Sequence, residues 1–263
     1  MENCMDTKTI LEKALLLRRK RQFNTAFDHI QQAMQTGHSE LKVLVWQHNP
    51  IFWQDINAGI CILTRRRGED ASFMRNLWQD REFIYQFHRH IPPLPTSDQD
   101  LQNILNQEMS AIISESHAIH WVVRGADRRP YGLLSLCEIS LLHRRAEVLL
   151  CVSPSAPPGM AVAAMLMLFQ FYFKVMKFNK LVSIVYPENI KSFKSTMHLG
   201  FKKESDLRQH AWDPKTETFT DMFQFGLLKE GAFGLGNLRL MQRLLTPRNL
   251  HTFSDPESIN HSK

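Results

Sequence analysis

Residues Arg144–Phe201 read RRAEVLLCVSPSAPPGMAVAAMLMLFQFYFKVMKFNKLVSIVYPENIKSFKSTMHLGF, and their pattern decides the fold. Ala146–Val152 is a short apolar run of strand type, followed by a turn rich in Pro and Gly. Met160–Val175 is an apolar helix, Lys180–Tyr186 a second strand, and a polar helix closed by Gly200 comes next. Strand, crossover helix and strand joined by short loops make a βαβ unit, and that order favours a parallel pair. The turn ahead of the helix is a place for phosphate, because a helix start leaves four N–H groups unpaired and carries partial positive charge.

Upstream, His120–Arg124 and Tyr131–Leu142 read as strands joined by the turn Gly125–Pro130, with His143–Arg145 turning into the next strand. Ile60–Leu63 is a short apolar strand, and Gly68-Glu69-Asp70 opens a helix through Phe73, Leu77 and Trp78. Glu82–Pro95, with Phe83, Tyr85, Phe87 and Arg89, is expected to be irregular, either walling an acceptor pocket or packing on the core. Leu101–Ser114 reads as one amphipathic helix burying Leu101, Ile104, Leu105, Met109, Ile112 and Ile113. A strand follows Phe201, and Phe219–Leu228 returns beside it. An antiparallel meander feeding a parallel crossover predicts an α/β fold with a mixed, mostly antiparallel sheet and helices on both faces.

Residues 1–48 are set apart as a helical hairpin, with Ile10, Ala14 and Leu17 on one helix and Phe23, Ala26, Phe27, Ile30 and Ala33 on the other. The pattern is similar to a single tetratricopeptide repeat, which cannot bury its own face alone. Packing on the main domain is the economical reading, and a protein partner held through residues 6–35 is the other. Residues 55–230 form the principal domain, and 231–263 a short helix, Leu238–Leu245, with a polar tail.

The 263 residues carry a formal charge of +6, with 43% apolar and 22% charged residues, which places the chain among globular rather than disordered proteins. Its arginines cluster at Arg18–Arg21 and Arg65–Arg67 rather than along one periodic face, so an anionic cofactor or a solvated surface accounts for the charge better than nucleic acid. Cys4, Cys61, Cys137 and Cys151 show no paired spacing and read as core residues of a reducing compartment. No apolar run reaches the roughly 20 residues of a membrane span. The expectation is a cytoplasmic monomer or homodimer. His88, His90, His117 and His120 lack companions at ligand spacing, so no metal is expected.

Tyr131–Leu136, His143–Glu147, Asn189…Ser192…Leu199-Gly200-Phe201 and Gly226-Leu227-Leu228 stand in an order that resembles the GNAT superfamily of N-acetyltransferases. The resemblance is to the branch of ribosomal-protein N-terminal and spermidine N-acetyltransferases, over roughly residues 60–230. It implies an acyl-CoA, in the first instance acetyl-CoA, held between two splayed parallel strands, and an acyl group moved to a small-molecule or peptide amine by direct attack. The family's phosphate turn carries Gln or Arg, two variable residues, Gly, one variable residue, then Gly or Ala; here Ala156-Pro157-Pro158-Gly159-Met160-Ala161 keeps the last two and replaces the first. The implied cofactor contacts are Leu150, Cys151 and Val152 on the strand, Gly159, Met160, Ala161 and Val162 at the turn, and Asn189 and Ser192 on the next helix. Asn189 also suits an N-cap, and Pro157-Pro158 also suit a helix start.

Where many relatives place a tyrosine as general acid, this chain has Thr196, which reads either as that donor or as an ordinary helix residue. Glu138 and Glu147, the carboxylates within the central strands, are the candidate bases, against ion pairs with Arg144 or Arg145. His143 and His210 are secondary candidates. The rival reading is a non-catalytic module of the same fold with weakened CoA binding, acting through protein partners.

Overall fold

The computed structural model describes residues 6–87, 89 and 93–245. Its strands are β1 (Ile56–Asn57), β2 (Ile62–Arg65), β3 (Ile119–Arg124), β4 (Pro130–Ser140), β5 (Arg145–Val152), β6 (Lys180–Val185), β7 (Lys202–Asp213) and β8 (Thr218–Leu228). They form one sheet in the order β1-β2-β3-β4-β5-β6-β8-β7, parallel only between β5 and β6. The helices are α1 (Thr7–Arg19), α2 (Phe23–Gln35), α3 (Lys42–Gln47), α4 (Ala71–Gln79), α5 (Arg81–Phe87), α6 (Asp98–Ser110), α7 (Ile113–Ser116), α8 (Met160–Gln170), α9 (Ile190–His198), α10 (Lys229–Ala232) and α11 (Leu235–Leu244).

The crossover helix α8 is apolar nearly all round, which demands burial on every side. Nine of its residues are buried, and it runs on into one π-helical turn at Phe171–Val175. It covers one sheet face through Leu134, Leu136, Ala146 and Val148, and Trp121 meets Phe171 edge-on at 5.6 Å. Each such side chain taken from water is worth about 1.5–3 kcal/mol. The opposite face, through Val122, Leu133 and Cys151, packs on α4 and α6. Gly132 leaves no room for a side chain between β4 and β5: a Cβ there would lie 2.1 Å from the Cys151 carbonyl oxygen.

The hairpin α1–α2 docks on this body. Ile10, Ala14, Ile30 and Ala33 pack on Leu41 of the chain itself. Buried Arg18 donates to the Ser110 carbonyl at 2.8 Å and pairs with Glu115, and Phe23 stacks on Trp53 at 4.8 Å. Arg65 is likewise buried, donating to the Phe52 carbonyl at 2.8 Å, while Arg66 pairs with Glu108 and Arg67 with Glu69. The basic clusters of the sequence are therefore partly internal struts.

Several boundaries differ from the expectation. Glu82–Pro95 begins as helix α5, because Arg81–Phe87 carries no breaker ahead of its prolines. The helix expected over Leu101–Ser114 stops at Ser110, where the chain is extended at Ala111 and Ile112 before the single turn α7; Ile104 stays exposed. The last helix begins at Leu235, earlier than its apolar pattern suggests, and Met241 and Leu245 join the core around α8. Cys61, Cys137 and Cys151 are free thiols. Among the described residues no helix is long and apolar enough to cross a membrane. Cys4, His88, His90 and the tail 246–263 lie outside the described residues.

Candidate functional site

The strands β5 and β6 pair only over Arg145–Glu147 and Lys180–Val182. Beyond that point β5 stays with β4 as far as Val152, and β6 stays with β8 as far as Val185, so the sheet opens along its parallel seam. The Ser153 N–H donates to the Tyr131 carbonyl at 2.7 Å, which fixes the phase of the β4–β5 ladder. Antiparallel alternation then turns the backbone of Cys151, Leu149 and Glu147 toward β4 and that of Leu150 and Val152 toward the opening. A cleft of about 310 Å³ lies there, walled by Val148–Val152, by Ser183–Tyr186 and by one face of α9.

At one end of the cleft the chain turns through residues 153–159. The Ala156 N–H donates to the Ser153 carbonyl at 3.0 Å and that of Met160 to Pro157 at 3.2 Å. Gly159 has φ +84°, a left-handed backbone that suits glycine, and no side chain caps the helix that follows. Pro157-Pro158 thus shape a turn ahead of α8 rather than starting it. Next in α8 after Met160, Ala163 donates back into the turn, to the Gly159 carbonyl at 2.9 Å, which leaves Ala161 and Val162 between them without a carbonyl one turn behind. Ala161 faces the cleft, and Leu244 of α11 packs behind Gly159.

On the other wall Asn189 caps α9, its Oδ1 accepting from the Ser192 N–H at 3.0 Å, and both residues border the cleft. Thr196, 9% exposed, lies one turn further along the same wall. The structure therefore gathers Leu150, Val152, Ala161, Asn189, Ser192 and Thr196 at one opening. Cys151 contributes to the same wall, but its thiol is pushed up to about 12 by burial in the core under α4 and α6.

The two carboxylates separate. Glu147 stands half-buried where the strands part, its carboxyl pushed up to about 7 by burial and then by Glu138, with no arginine opposing the shift. Glu138 is exposed at φ +51° on the bulge between Cys137 and Ser140, which breaks the alternation that would have placed it in the sheet. His143 and His210 are exposed, in a turn and on β7. His120 shares its sheet face with Ser135, Nδ1 to Oγ 2.8 Å, and is pushed down to about 3 by burial and by Arg66 and Arg65.

Beside Phe87 and Tyr186 of the cleft, the segment expected to wall a pocket or pack on the core forms a linked group. Arg89, with its side chain 2% exposed, pairs with Asp213 Oδ2 at 2.8 Å and with Glu188, and Tyr85 Oη donates to the same Asp213 oxygen at 2.6 Å. Its guanidinium lies 3.8 Å from the Tyr186 ring centroid and 4.5 Å from that of Tyr85. The aromatic run Tyr85…Phe87…Arg89 signalled a pocket wall, but its partner Asp213 lies 124 residues further along, beyond any local pattern.

A mixed sheet split along its parallel seam, with a glycine turn and bare helix amides at one end, defines the class of α/β protein. The profile of the acetyltransferase (GNAT) domain matches residues 61–202, and the chain belongs to that family. Spermidine N(1)-acetyltransferase of Escherichia coli K12 is 37% identical over 82 residues, 31% of this chain and 44% of that protein, so the chain spans less than half the length of the curated relatives it matches. Among solved structures, spermidine N-acetyltransferase from Vibrio cholerae in complex with CoA and spermine aligns at TM-score 0.56 and 22% identity, over 66% of this chain and 98% of that one. A dodecameric form of the Vibrio cholerae enzyme aligns at TM-score 0.54 and 23% identity, over 66% and 96%.

Proposed function

We propose that this protein is an N-acyltransferase that moves an acetyl group from acetyl-CoA to a primary amine. The observation that carries the reading is the opened β5–β6 seam, with the amides of Leu150 and Val152 turned into it and those of Ala161 and Val162 bare at its end. These groups fit an acyl thioester carrier. Strand amides suit an extended pantetheine arm and a polarised carbonyl, and a helix start suits a diphosphate. Asn189 and Ser192 would hold the arm from α9, and Gly159 and Met160 would let the diphosphate approach.

Glu147 is the base. A carboxyl titrating near 7 exists in both forms at neutral pH, so it takes a proton from the substrate ammonium and passes it to water. The exposed Glu138 acts on that carboxyl through its field rather than by contact. Thr196 offers a hydroxyl to the sulfur end of the cleft, as a hydrogen-bond donor. Similarity to spermidine acetyltransferases supports a polyamine-type amine as the acceptor, with Phe87 and Tyr186 on its wall.

The test is amine-dependent thiol release from acetyl-CoA, with spermidine, free lysine and a short peptide with an unblocked amino terminus as acceptors. Release with at least one of them, reduced about 100-fold or more by Glu147→Gln, is the expected outcome. No release, together with no heat on titration of acetyl-CoA to millimolar concentration, would overturn the proposal in favour of a binding module.

A further inference from the structure

A departing thiolate needs a proton, and an aliphatic hydroxyl such as Thr196 is a poor source. Among the described residues the cleft is bordered by a single phenol, Tyr186, at the end of β6 and 9% exposed. We infer that Tyr186, held by Arg89, is the proton donor to the leaving thiolate, standing on the strand β6 rather than on helix α9. The inference rests on the acyltransferase reading above.

The groups around the phenol are arranged for the task. From the segment after α5, the Arg89 guanidinium lies over the ring at 3.8 Å, and both it and the Arg89 backbone N–H favour the ionised phenol. From β7, Asp213 anchors Arg89 and also accepts from Tyr85; from the loop after β6, Glu188 pairs with Arg89. From β5, Glu147 lies close enough for its charge to be felt at the phenol. Burial holds the proton on Tyr186, while the Arg89 amide and charge favour the phenolate that donation would leave. The residue therefore stays a phenol between turnovers and still tolerates losing its proton.

The proton balance closes. The amine nitrogen forms its bond to the acyl carbon, the C–S bond breaks, and the sulfur takes the Tyr186 proton. The nitrogen sheds two protons in all: Glu147 passes the first to water, and the second returns to the phenolate by way of Glu147. Arg89 acts through Tyr186 and is a positioning residue.

The experiment compares the full-length chain and its Tyr186→Phe variant with acetyl-CoA and, in parallel, with an acetyl thioester of a nitrothiophenol, whose thiolate leaves without a proton. The amine is whichever of spermidine, lysine and the peptide the parent chain turns over fastest. Expected is a loss of about 100-fold in kcat with acetyl-CoA, little change in KM for acetyl-CoA, loss of the alkaline limb of the pH profile, and recovery to within about fivefold with the activated thioester. Arg89→Lys should move the alkaline limb upward while leaving it present. An equal loss with both thioesters, or an unaltered profile, overturns the role of Tyr186 and leaves the transferase standing. A parent chain inactive with both refutes the transferase reading itself.

Discussion

Replacing Glu147 by Gln should stabilise the protein while disabling it. In the fold this carboxyl is pushed from an ordinary 4.5 up to about 7, first by burial and then by the Glu138 charge. Below pH 4.5 the group is protonated in folded and unfolded chains alike, and its relative contribution to stability is fully present. As the pH rises toward 7 the unfolded chain ionises while the folded one resists, so stability is lost across that window and stays lost above it. At 1.36 kcal/mol per tenfold step the loss comes to about 3 kcal/mol. Gln carries no charge to desolvate but leaves an amide to satisfy, at about 1 kcal/mol, so the variant should gain about 2 kcal/mol at pH 8 and lose up to about 1 kcal/mol at pH 4.5. Urea unfolding at the two pH values reads this directly, as a midpoint higher by about 1 M at pH 8 and equal or slightly lower at pH 4.5. Equal midpoints at pH 8, or a less stable variant, would refute the claim that Glu147 is held against its preference.

Three further outcomes follow from the geometry. Gly132→Ala drives a Cβ into the Cys151 carbonyl, a contact of 2.1 Å between two backbones that cannot both give way, and should cost more than about 3 kcal/mol by thermal unfolding. His48, 2% exposed and pushed down to about 4 by burial, contributes stability above pH 6.5 that drains as the pH falls toward 4; His48→Gln should flatten that acid limb by about 3 kcal/mol in denaturant titrations. Gly159→Val forces a left-handed backbone on a branched residue and displaces the amides beside it, so acetyl-CoA should bind about tenfold more weakly by calorimetry while the unfolding temperature moves little.

The fold was legible because its decisive unit is local. Ala146–Val152, Met160–Val175 and Lys180–Tyr186 each carry a pattern that belongs to one element, and short loops leave the crossover little choice of topology. Elements that depend on a neighbour were less legible. The break at Ala111–Ile112 lies inside a run with helical spacing, and Ile112 and Ile113 are buried under the meander rather than on the face of α6. The bulge that turns Glu138 outward leaves no mark in the sequence, since glutamate at positive φ has no local signature.

The site divides along the same line. Asn189, Ser192 and Gly159 could be named from the family resemblance, and the backbone favours two of them, Asn189 as the cap of α9 and Gly159 at φ +84°. Arg89 was named only within a segment that walls a pocket or packs on the core, and Tyr186 only as a strand end, because the pairing of Arg89 with Asp213 on a distant strand leaves no local pattern. The hairpin was recognised as a unit, and Arg18 explains why it docks: a buried guanidinium is tolerated only where Ser110 and Glu115 of the main body meet it.

The seam between β5 and β6 can be interrogated residue by residue through amide hydrogen exchange. With acetyl-CoA bound, the N–H groups of Leu150, Val152, Ala161 and Val162 should slow by about tenfold or more, while Cys151, already paired with β4, stays as it was. Unchanged exchange at all four amides in saturating acetyl-CoA would mean that the opening holds no thioester carrier, and the transferase account would fail with it.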